Sequence, residues 1–260
     1  MDQKPEAGKG ILTFKTATEL YNAVAVRMRD LASKAVAQRG RFLLVLAGGE
    51  TPKPLYEKLA QDPAVADFPW RETHVFWGDE RAVPPDDAQS NFRTASEYLL
   101  SAVPLPEVNI HRIRGELAAA TAARLYARDL QLMADPGLAW PRFDLVLLGL
   151  GSDGHTASLF PGSTHPSRSA QATLAVTGSY GQRPTSRVTL TPPVFNSARD
   201  IFFLVIGERK ADVVASVLQG KKSAVRFPAR RIKPTDGSIT WYLDRAAAAR
   251  LNERILNDHK

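Results

Sequence analysis

Residues 143–155 read FDLVLLGLGSDGH, a short apolar run that ends in glycines, an acid and a histidine. Such a run followed by turn-forming residues is typical of a buried strand in a parallel β-sheet. The glycines let the chain turn sharply and bring its backbone close to a ligand. The stretch therefore predicts a central strand that carries Asp153 and His155 to its carboxyl end.

Similar apolar runs occur on both sides of this strand, and three of them also end in glycine or charged residues. We predict strands at RFLLVLAGG (41–49), HVFWGDER (74–81, strand then loop), NIHRI (109–113), RVTLT (187–191), IFFLVIG (201–207) and SITWYL (238–243). Because the carboxyl ends of parallel strands meet at one edge of a sheet, we expect the glycine-rich and charged loops to lie together there.

Helical spacing of apolar residues separates these strands. We predict helices at 19–38, 91–100, 116–133 and 208–218, and at the terminal stretch 244–256. A further helix is predicted to begin at Pro52, with Thr51 as its N-cap. The alternation predicts an α/β fold, a single open, mostly parallel β-sheet flanked by helices on both faces, of the Rossmann-like type. We expect one domain over residues 1–260, with residues 1–14 as a loose N-terminal extension.

The composition is that of a soluble globular protein, with 44% hydrophobic and 23% charged residues among 260. No run approaches the roughly 20 apolar residues of a membrane span, and the opening MDQKPEAGKG lacks the apolar core of a signal peptide. The absence of cysteine excludes disulfides, thiol nucleophiles and cysteine zinc sites. The five histidines are too scattered to suggest a metal site, and we expect a cytoplasmic protein that binds no membrane.

The net charge of +7 is concentrated in the second half of the chain. Residues 1–140 hold 17 basic and 18 acidic side chains, whereas residues 141–260 hold 17 and 9. The basic residues are dispersed and accompany no nucleic-acid-binding motif, so we expect no nucleic-acid partner. A pocket for a phosphorylated metabolite would need only a few of these charges, the remainder being solvated surface.

Two of the predicted loops contain groups suited to binding an anion. Gly48, Gly49 and Thr51 precede a helix, where backbone N–H groups can cradle a phosphate, although a plain tight turn has the same pattern. The guanidinium of Arg81 suits phosphate or carboxylate, although a surface salt-bridge cluster is the alternative. Asn91 could serve only as part of a turn and helix cap.

His155 is the strongest catalytic candidate. Its glycine-rich frame, the acid two positions earlier and its place at a strand end favour a general base, since imidazole exchanges protons near neutral pH. Without cysteine or a G-x-S-x-G motif, hydrolysis by activated water is the natural reaction. Lys210 and Arg187 could reach the same pocket and contact phosphate, or could equally be solvated surface cations.

Seven motifs occur in the order AGGETP, FWGDER, SN, FDLVLLGLGSDGHTASLFPG, RVTLT, GERKADV and ITWYLD. In these the chain resembles the 6-phosphogluconolactonases of the glucosamine-6-phosphate isomerase/6-phosphogluconolactonase superfamily, over roughly residues 15–250. The resemblance implies hydrolysis of 6-phospho-D-glucono-1,5-lactone in the oxidative pentose phosphate pathway, without metal or other cofactor. Its implied partner is this small sugar phosphate.

The resemblance also implies roles for individual residues. His155 would deprotonate the attacking water, Asp153 would orient the loop or the imidazole, and Asp79 would position sugar hydroxyls. Arg81 and Lys210 would hold the phosphate or the developing negative charge. Further contacts to the substrate or its phosphate would come from Gly48, Gly49, Thr51, Asn91 and Arg187.

Some alternatives remain open at this point. The segment GSYGQRPTS (178–186) stands where many relatives have a proline-rich segment, and His165 is a weak rival to His155. A glucosamine-6-phosphate deaminase or isomerase shares the D-G-H core but needs a further acid, and TASLFPG (156–162) contains none. A non-catalytic sugar-phosphate sensor would have no use for a base. We expect a monomer or a small homo-oligomer.

Overall fold

The computed structural model describes residues 9–162, 171–178, 186–220 and 227–252. Within these ranges the strands are β1 (Lys9–Phe14), β2 (Phe42–Leu46), β3 (Thr73–Trp77), β4 (Asp79–Arg81), β5 (Ile110–His111), β6 (Leu145–Leu148), β7 (Thr173–Thr177), β8 (Ser186–Leu190), β9 (Asp200–Val205) and β10 (Ser238–Asp244). The α-helices are α1 (Ala17–Arg39), α2 (Lys53–Gln61), α3 (Asn91–Tyr98), α4 (Ala119–Met133), α5 (Pro192–Asn196) and α6 (Ala211–Gln219).

Seven strands form one parallel sheet in the order β1-β10-β9-β6-β2-β3-β5. Every residue of β2 and β6 is buried, as expected of apolar runs at the centre of such a sheet. From β2 the chain moves outward to β3 and later returns to place β6 on the other side of β2. The order thus reverses between β2 and β6, where open α/β sheets bind ligands. The predicted fold class is confirmed.

A second sheet lies beside the first and has the order β4-β8-β7 with antiparallel pairing. We expected residues 79–81 to continue the loop after β3, and this was wrong. The backbone of Gly78 donates to the carbonyl of Leu46 in the main sheet and accepts from the N–H of Leu190. The chain therefore passes from one sheet to the other at Gly78, and its next three residues pair with β8.

Helix α1 confirms the helix predicted at 19–38. The Thr16 hydroxyl accepts a hydrogen bond from the Glu19 N–H, and Gly40 ends the helix in a left-handed conformation at φ 72°. The predicted cap of α2 was wrong: the N-cap residue is Pro52, without a side-chain cap, while the Thr51 carbonyl accepts from Tyr21. None of the described helices is both long and apolar enough to cross a membrane.

Two terminal predictions also need correction. The loose extension expected over 1–14 is wrong for Lys9–Phe14, which pairs along its whole length with β10 as an edge strand; residues 1–8 lie outside the described ranges. The helix expected at 244–256 is a series of turns over residues 245–250. The Asp244 carboxylate accepts from both Ala247 and Gly207, which fixes the turn. Residues 253–260 are not described.

Two histidines meet at the edge of the main sheet, on β3 and β5. The Nδ1 of His74 lies 3.1 Å from the Nε2 of His111, and the His111 ring stacks on Phe76 with centroids 4.4 Å apart. Burial, and then the neighbouring His74, lowers the pKa of His111 to about 4. Burial, and then Arg41, lowers the pKa of His74. One proton shared between the two nitrogens fits this contact, whereas protonation of both rings would not.

The histidine pair predicts a loss of stability in mild acid. Between about pH 6.5 and pH 4 the two histidines bind protons in the unfolded chain but not in the folded protein. The free energy of unfolding therefore falls as the pH falls. We expect the pair to contribute about 1–2 kcal/mol of this loss, because the rings are only half-buried and solvent screens them. Urea unfolding at several pH values should show a smaller acid loss in His111→Gln. An equal loss in both proteins would contradict the assignment.

Candidate active site

A cavity of about 560 Å³ opens at the carboxyl ends of β2 and β6 and is closed on other sides by β4, β8 and the segment after β9. Nine of the ten side chains or glycines predicted for the site line it: Gly48, Gly49, Thr51, Asp79, Arg81, Asn91, His155, Arg187 and Lys210. The tenth, Asp153, lies behind His155. The fold thus brings together residues that are up to 162 positions apart in the chain, from Gly48 to Lys210.

His155 and Asp153 form a hydrogen-bonded pair. The Nδ1 of His155 lies 2.5 Å from Oδ1 of Asp153, and the same oxygen accepts from the His155 backbone N–H at 3.1 Å. The histidine side chain is 14% exposed, and its ring lies 5.1 Å from that of Phe160. With Nδ1 directed to a carboxylate, the ring orientation is fixed and proton transfer with a ligand falls to Nε2.

Backbone contacts hold the loop that carries this pair. The N–H of Gly151 donates to the carbonyl of His155 at 2.8 Å, and the Thr156 hydroxyl donates to the carbonyl of Gly149 at 2.8 Å. The His155 ring packs so closely on the Cα of Gly151 that a Cβ there would overlap the ring and approach Asp153. Glycine at this position is therefore required for the present position of the imidazole.

The charge state of Asp153 follows from the same contacts. Partial burial acts to raise the pKa of the Asp153 carboxyl. The hydrogen bonds from the ring and the backbone N–H of His155 lower this pKa by more, so the net change is a decrease. The carboxylate therefore stays ionised across the neutral range. An ionised partner at Nδ1 stabilises the positive charge that forms when the imidazole takes up a proton.

Lys210 reaches the cavity from the segment after β9. Its Nζ donates to the carbonyl of Leu150 at 2.7 Å, which ties the ammonium to the loop of His155. An ammonium has three donors, so two remain for a ligand. Arg209 also lines the cavity, and sequence reasoning missed it, because two adjacent cations at the start of a helix carry no signal of which one faces a site.

Two arginines face each other across the small sheet. Arg81 on β4 is the register partner of Arg187 on β8, and they are 8% and 3% exposed. The Nη1 of Arg81 donates to the carbonyl of Gln89, and its buried Nε has no hydrogen-bond partner among the described residues. Arg187 lies 4.0 Å from the Asp79 carboxylate.

The balance of charge in the cavity favours an anion. The lining has four basic side chains, Arg81, Arg187, Arg209 and Lys210, and two acidic ones, Glu50 and Asp79. A concave site with an excess of one sign concentrates ligands of the other. The arrangement therefore suits a small anion that presents oxygen atoms to several donors at once.

Asp79 is held by a side chain from the loop after β6 and one from the first residue of helix α3. The Ser158 hydroxyl donates to its Oδ2 at 2.5 Å, and Nδ2 of Asn91 donates to its backbone carbonyl at 2.8 Å. Asn91 also packs against Gly48 so closely that a Cβ on that glycine would overlap its amide. Asn91 is thus part of the cavity wall, in addition to opening helix α3 after the Ser90 cap.

Glu80 positions Asn91 from behind the cavity, and sequence reasoning missed this role. Its carboxylate accepts from the N–H groups of Arg81, Asn91 and Phe92 and from the Ser90 hydroxyl, at 2.7–3.0 Å. Burial raises the pKa of the Glu80 carboxyl, although these backbone donors act in the opposite direction. The capping carboxylate lies eleven residues before the first residue of the helix, so no local sequence motif indicates it.

Within the described ranges, no group of three or more His, Asp or Glu side chains is placed to hold a metal ion. Sequence reasoning expected neither a metal nor another cofactor, and this stays a prediction. The donors that do converge on the cavity are guanidinium and ammonium groups, which bind anions.

The fold and the site together define a class: α/β proteins with a parallel sheet whose carboxyl edge holds a carboxylate–imidazole pair beside an anion-binding cavity. Comparison with known proteins narrows this class. A sequence profile described as glucosamine-6-phosphate isomerases/6-phosphogluconolactonase matches residues 15–241. The chain belongs to this family.

Individual relatives agree over most of the chain. A 6-phosphogluconolactonase of Synechocystis sp. is 40% identical over 221 residues, which are 84% of this chain and 88% of the relative. That of Haemophilus influenzae is 37% identical over 202 residues, 78% of this chain and 84% of the relative. The solved 6-phosphogluconolactonase of Trypanosoma brucei is 30% identical, with a TM-score of 0.83 over 95% of this chain and all of the other.

Proposed function

We propose that the protein hydrolyses 6-phospho-D-glucono-1,5-lactone to 6-phospho-D-gluconate, a step of the oxidative pentose phosphate pathway. The observation that carries the proposal is the His155–Asp153 pair at the wall of a cavity with four basic side chains. The names of the relatives add independent support, since both curated proteins and the solved structure are 6-phosphogluconolactonases.

His155 acts first as a general base. Its Nε2 takes a proton from a water molecule while the water oxygen forms a bond to the lactone carbonyl carbon. The carbonyl oxygen gains the electron pair and becomes negative in the tetrahedral intermediate. Asp153, ionised beside Nδ1, stabilises the imidazolium that results. A δ-lactone is an activated ester, so a single base suffices for this attack.

The second step breaks the bond between the former carbonyl carbon and the ring oxygen. The intermediate collapses, the electron pair of that bond goes to the ring oxygen, and the imidazolium returns its proton there. The products are a carboxylic acid, which ionises at neutral pH, and a hydroxyl group. His155 ends neutral, ready for another turnover, and all atoms of water and lactone are accounted for.

The basic side chains of the cavity hold the substrate and the developing charge. Lys210 is tied to the loop of His155, so its remaining donors lie close to the base. Arg81 and Arg187, with the backbone of the Gly48 loop, supply donors for the remaining oxygens. Each donor placed where negative charge develops contributes about a hundredfold or more to the rate. Fixing the phosphate also orients the carbonyl toward the base.

A direct assay tests the proposal. Freshly generated lactone should be consumed much faster with the protein than without it, in the presence of a metal chelator. Glucosamine 6-phosphate, supplied in parallel, should release no ammonia. No acceleration of lactone opening above the spontaneous rate would overturn the proposal.

The family also includes glucosamine-6-phosphate isomerases, so the second substrate is a meaningful comparison. The chain has the Asp–His pair but contains no acid between His155 and Gly162, where ring opening of an amino sugar would need one. A non-catalytic sugar-phosphate sensor is the third possibility, and it would turn over neither substrate. The assay separates all three.

Two glycines of the catalytic loop offer a matched pair of variants. An alanine Cβ at Gly151 would overlap the His155 ring, whereas one at Gly149 would have no atom within 4 Å. We expect Gly151→Ala to lower kcat by about tenfold by displacing the imidazole, because small misplacements of reacting groups are costly. Gly149→Ala should keep kcat near that of the natural protein. Steady-state kinetics check this, and equal effects of the two changes would contradict it.

A further inference from the structure

A second group of basic side chains lies at the opposite edge of the main sheet. Arg39, Arg41, Arg142 and Arg199 line a cavity of about 410 Å³ together with Leu43, Asp135 and Asp144. The cavity is at the amino ends of β2, β6 and β9, whereas the catalytic cavity is at their carboxyl ends. Strands of four to six residues separate the two edges by roughly 13–20 Å, so the cavities are distinct.

The acids in this cavity do not balance its arginines. Asp144 is buried, accepts from the Leu43 N–H at 2.9 Å and is shared by Arg39 at 2.8 Å and Arg199 at 3.2 Å. Asp135, a mostly exposed side chain, pairs with Arg41 at 2.7 Å. Four guanidinium groups and two carboxylates line the cavity. Arg142 also pairs with the exposed Asp236 carboxylate at 3.4 Å, which leaves an excess of one positive charge.

Arg199 shows the effect of this excess most clearly. Among the described residues, Asp144 is its one neighbour of opposite charge within 4 Å, and its buried Nε, 3.2 Å from Oδ1 of Asp144, makes no hydrogen bond there. Burial, followed by the nearby charges of Arg39 and Arg142, lowers the pKa of its guanidinium. An anion placed among these groups would satisfy the unused donors and relieve the repulsion.

The size of the region indicates more than one anionic group. A neighbouring cavity of about 420 Å³ shares Arg39, Arg142, Arg199 and Asp144. It adds two basic and two acidic side chains, Arg27, Lys34, Asp200 and Asp236. Each cavity is within the range of small-molecule sites. Because they share four residues, we treat them as one groove, with six basic and four acidic side chains and an excess of two positive charges. Guanidinium forks match phosphate oxygens two at a time, so a row of them suits a chain of linked phosphates.

We propose that this arginine groove, defined by Arg39, Arg41, Arg142 and Arg199, is a second binding site, for a small ligand that carries two or more linked phosphate groups. The ligand class is that of pyrophosphate, tripolyphosphate and nucleoside triphosphates, whose shared element is the phosphate chain. The proposed site shares no residue with the catalytic cavity. The proposal is therefore independent of the lactonase reaction and does not require that reaction to be confirmed.

Calorimetric titration with tripolyphosphate at low ionic strength tests the proposal, with two double variants of equal charge. Arg41→Gln with Arg199→Gln removes two charges from the groove and leaves Arg39 to pair with Asp144. Arg81→Gln with Lys210→Gln removes two charges from the catalytic cavity. We expect the groove variant to raise the Kd at least tenfold and the cavity variant to change it less than twofold. Orthophosphate should bind the natural protein at least tenfold more weakly than tripolyphosphate.

Other results would overturn the proposal. A loss of binding mainly in the cavity variant would place the ligand in the catalytic cavity, and equal losses would show attraction by overall charge alone. Absence of measurable binding to the natural protein would also refute it. If the groove variant fails to fold, Arg41→Lys with Arg199→Lys keeps the charge but not the guanidinium forks. That variant should then bind at least threefold more weakly, and unchanged binding would overturn the site.

Discussion

Replacement of His155 by alanine lowers kcat for lactone hydrolysis by about 10²- to 10⁴-fold, the contribution typical of a positioned general base. The fold should survive, because the loop is also held by backbone contacts from Gly151 and Gly154 that do not use the imidazole. KM should change much less, since the basic side chains that hold the anion remain. Steady-state kinetics with the spontaneous rate subtracted measure both quantities.

The matched control is the rival histidine, His165, which lies outside the described residues. His165→Ala should retain kcat within about twofold, because the structure already provides a base in the cavity with its carboxylate partner. Asp153→Asn should have an intermediate effect, since the ring keeps a hydrogen-bonding neighbour but loses the charge that stabilises imidazolium. Full activity of His155→Ala, or inactivity of His165→Ala alone, would show that the base is elsewhere.

The sequence was sufficient for six of the seven strands of the main sheet, all but β1, because these six are encoded locally. Residues 143–155 and 41–49 each have an apolar run long enough for a strand and a glycine turn at its end. The small sheet was missed because β4 has only three residues, all charged, which in isolation are indistinguishable from a loop. Its strand character comes from pairing with β8, a partner more than 100 residues later.

Most residues of the site were predictable from the sequence, although Arg209 was not, and its internal contacts were not predictable. Because strand ends meet at one edge, His155, Arg81 and Lys210 could be proposed for one pocket from their positions, although for the two cations a surface role also stayed open. The support of Asn91 by Glu80, and the tie between Lys210 and the carbonyl of Leu150, depend on tertiary distances that no spacing reveals. The edge strand β1 was missed for a similar reason, because its pairing with β10 joins the two ends of the chain.

Arg81→Gln should lower kcat/KM by about 10- to 100-fold. Its guanidinium is buried at the cavity wall, with one nitrogen bonded to the Gln89 carbonyl and Nε without a partner among the described residues. A substrate anion would supply the missing acceptor, and hydrogen bonds to charged groups contribute about 1.5–3 kcal/mol, which corresponds to this factor. Glutamine retains a polar side chain of similar reach but neither the charge nor the fork.

The division between KM and kcat then assigns the role of Arg81. A rise in KM alone would mean that it binds phosphate equally in the ground and transition states, whereas a fall in kcat would mean that it stabilises the charge developing on the lactone oxygen. Arg81→Lys should recover part of the loss, because the charge returns without the two-pronged geometry.

Arg114→Gln, at an exposed pair with Asp129, removes one charge elsewhere and should leave kcat/KM unchanged. Since Arg81 also contacts Gln89, thermal melting of each variant must show a folded protein at the assay temperature. Natural kinetics in a folded Arg81→Gln protein would remove this arginine from the substrate site and leave Lys210 and Arg187 as its cations.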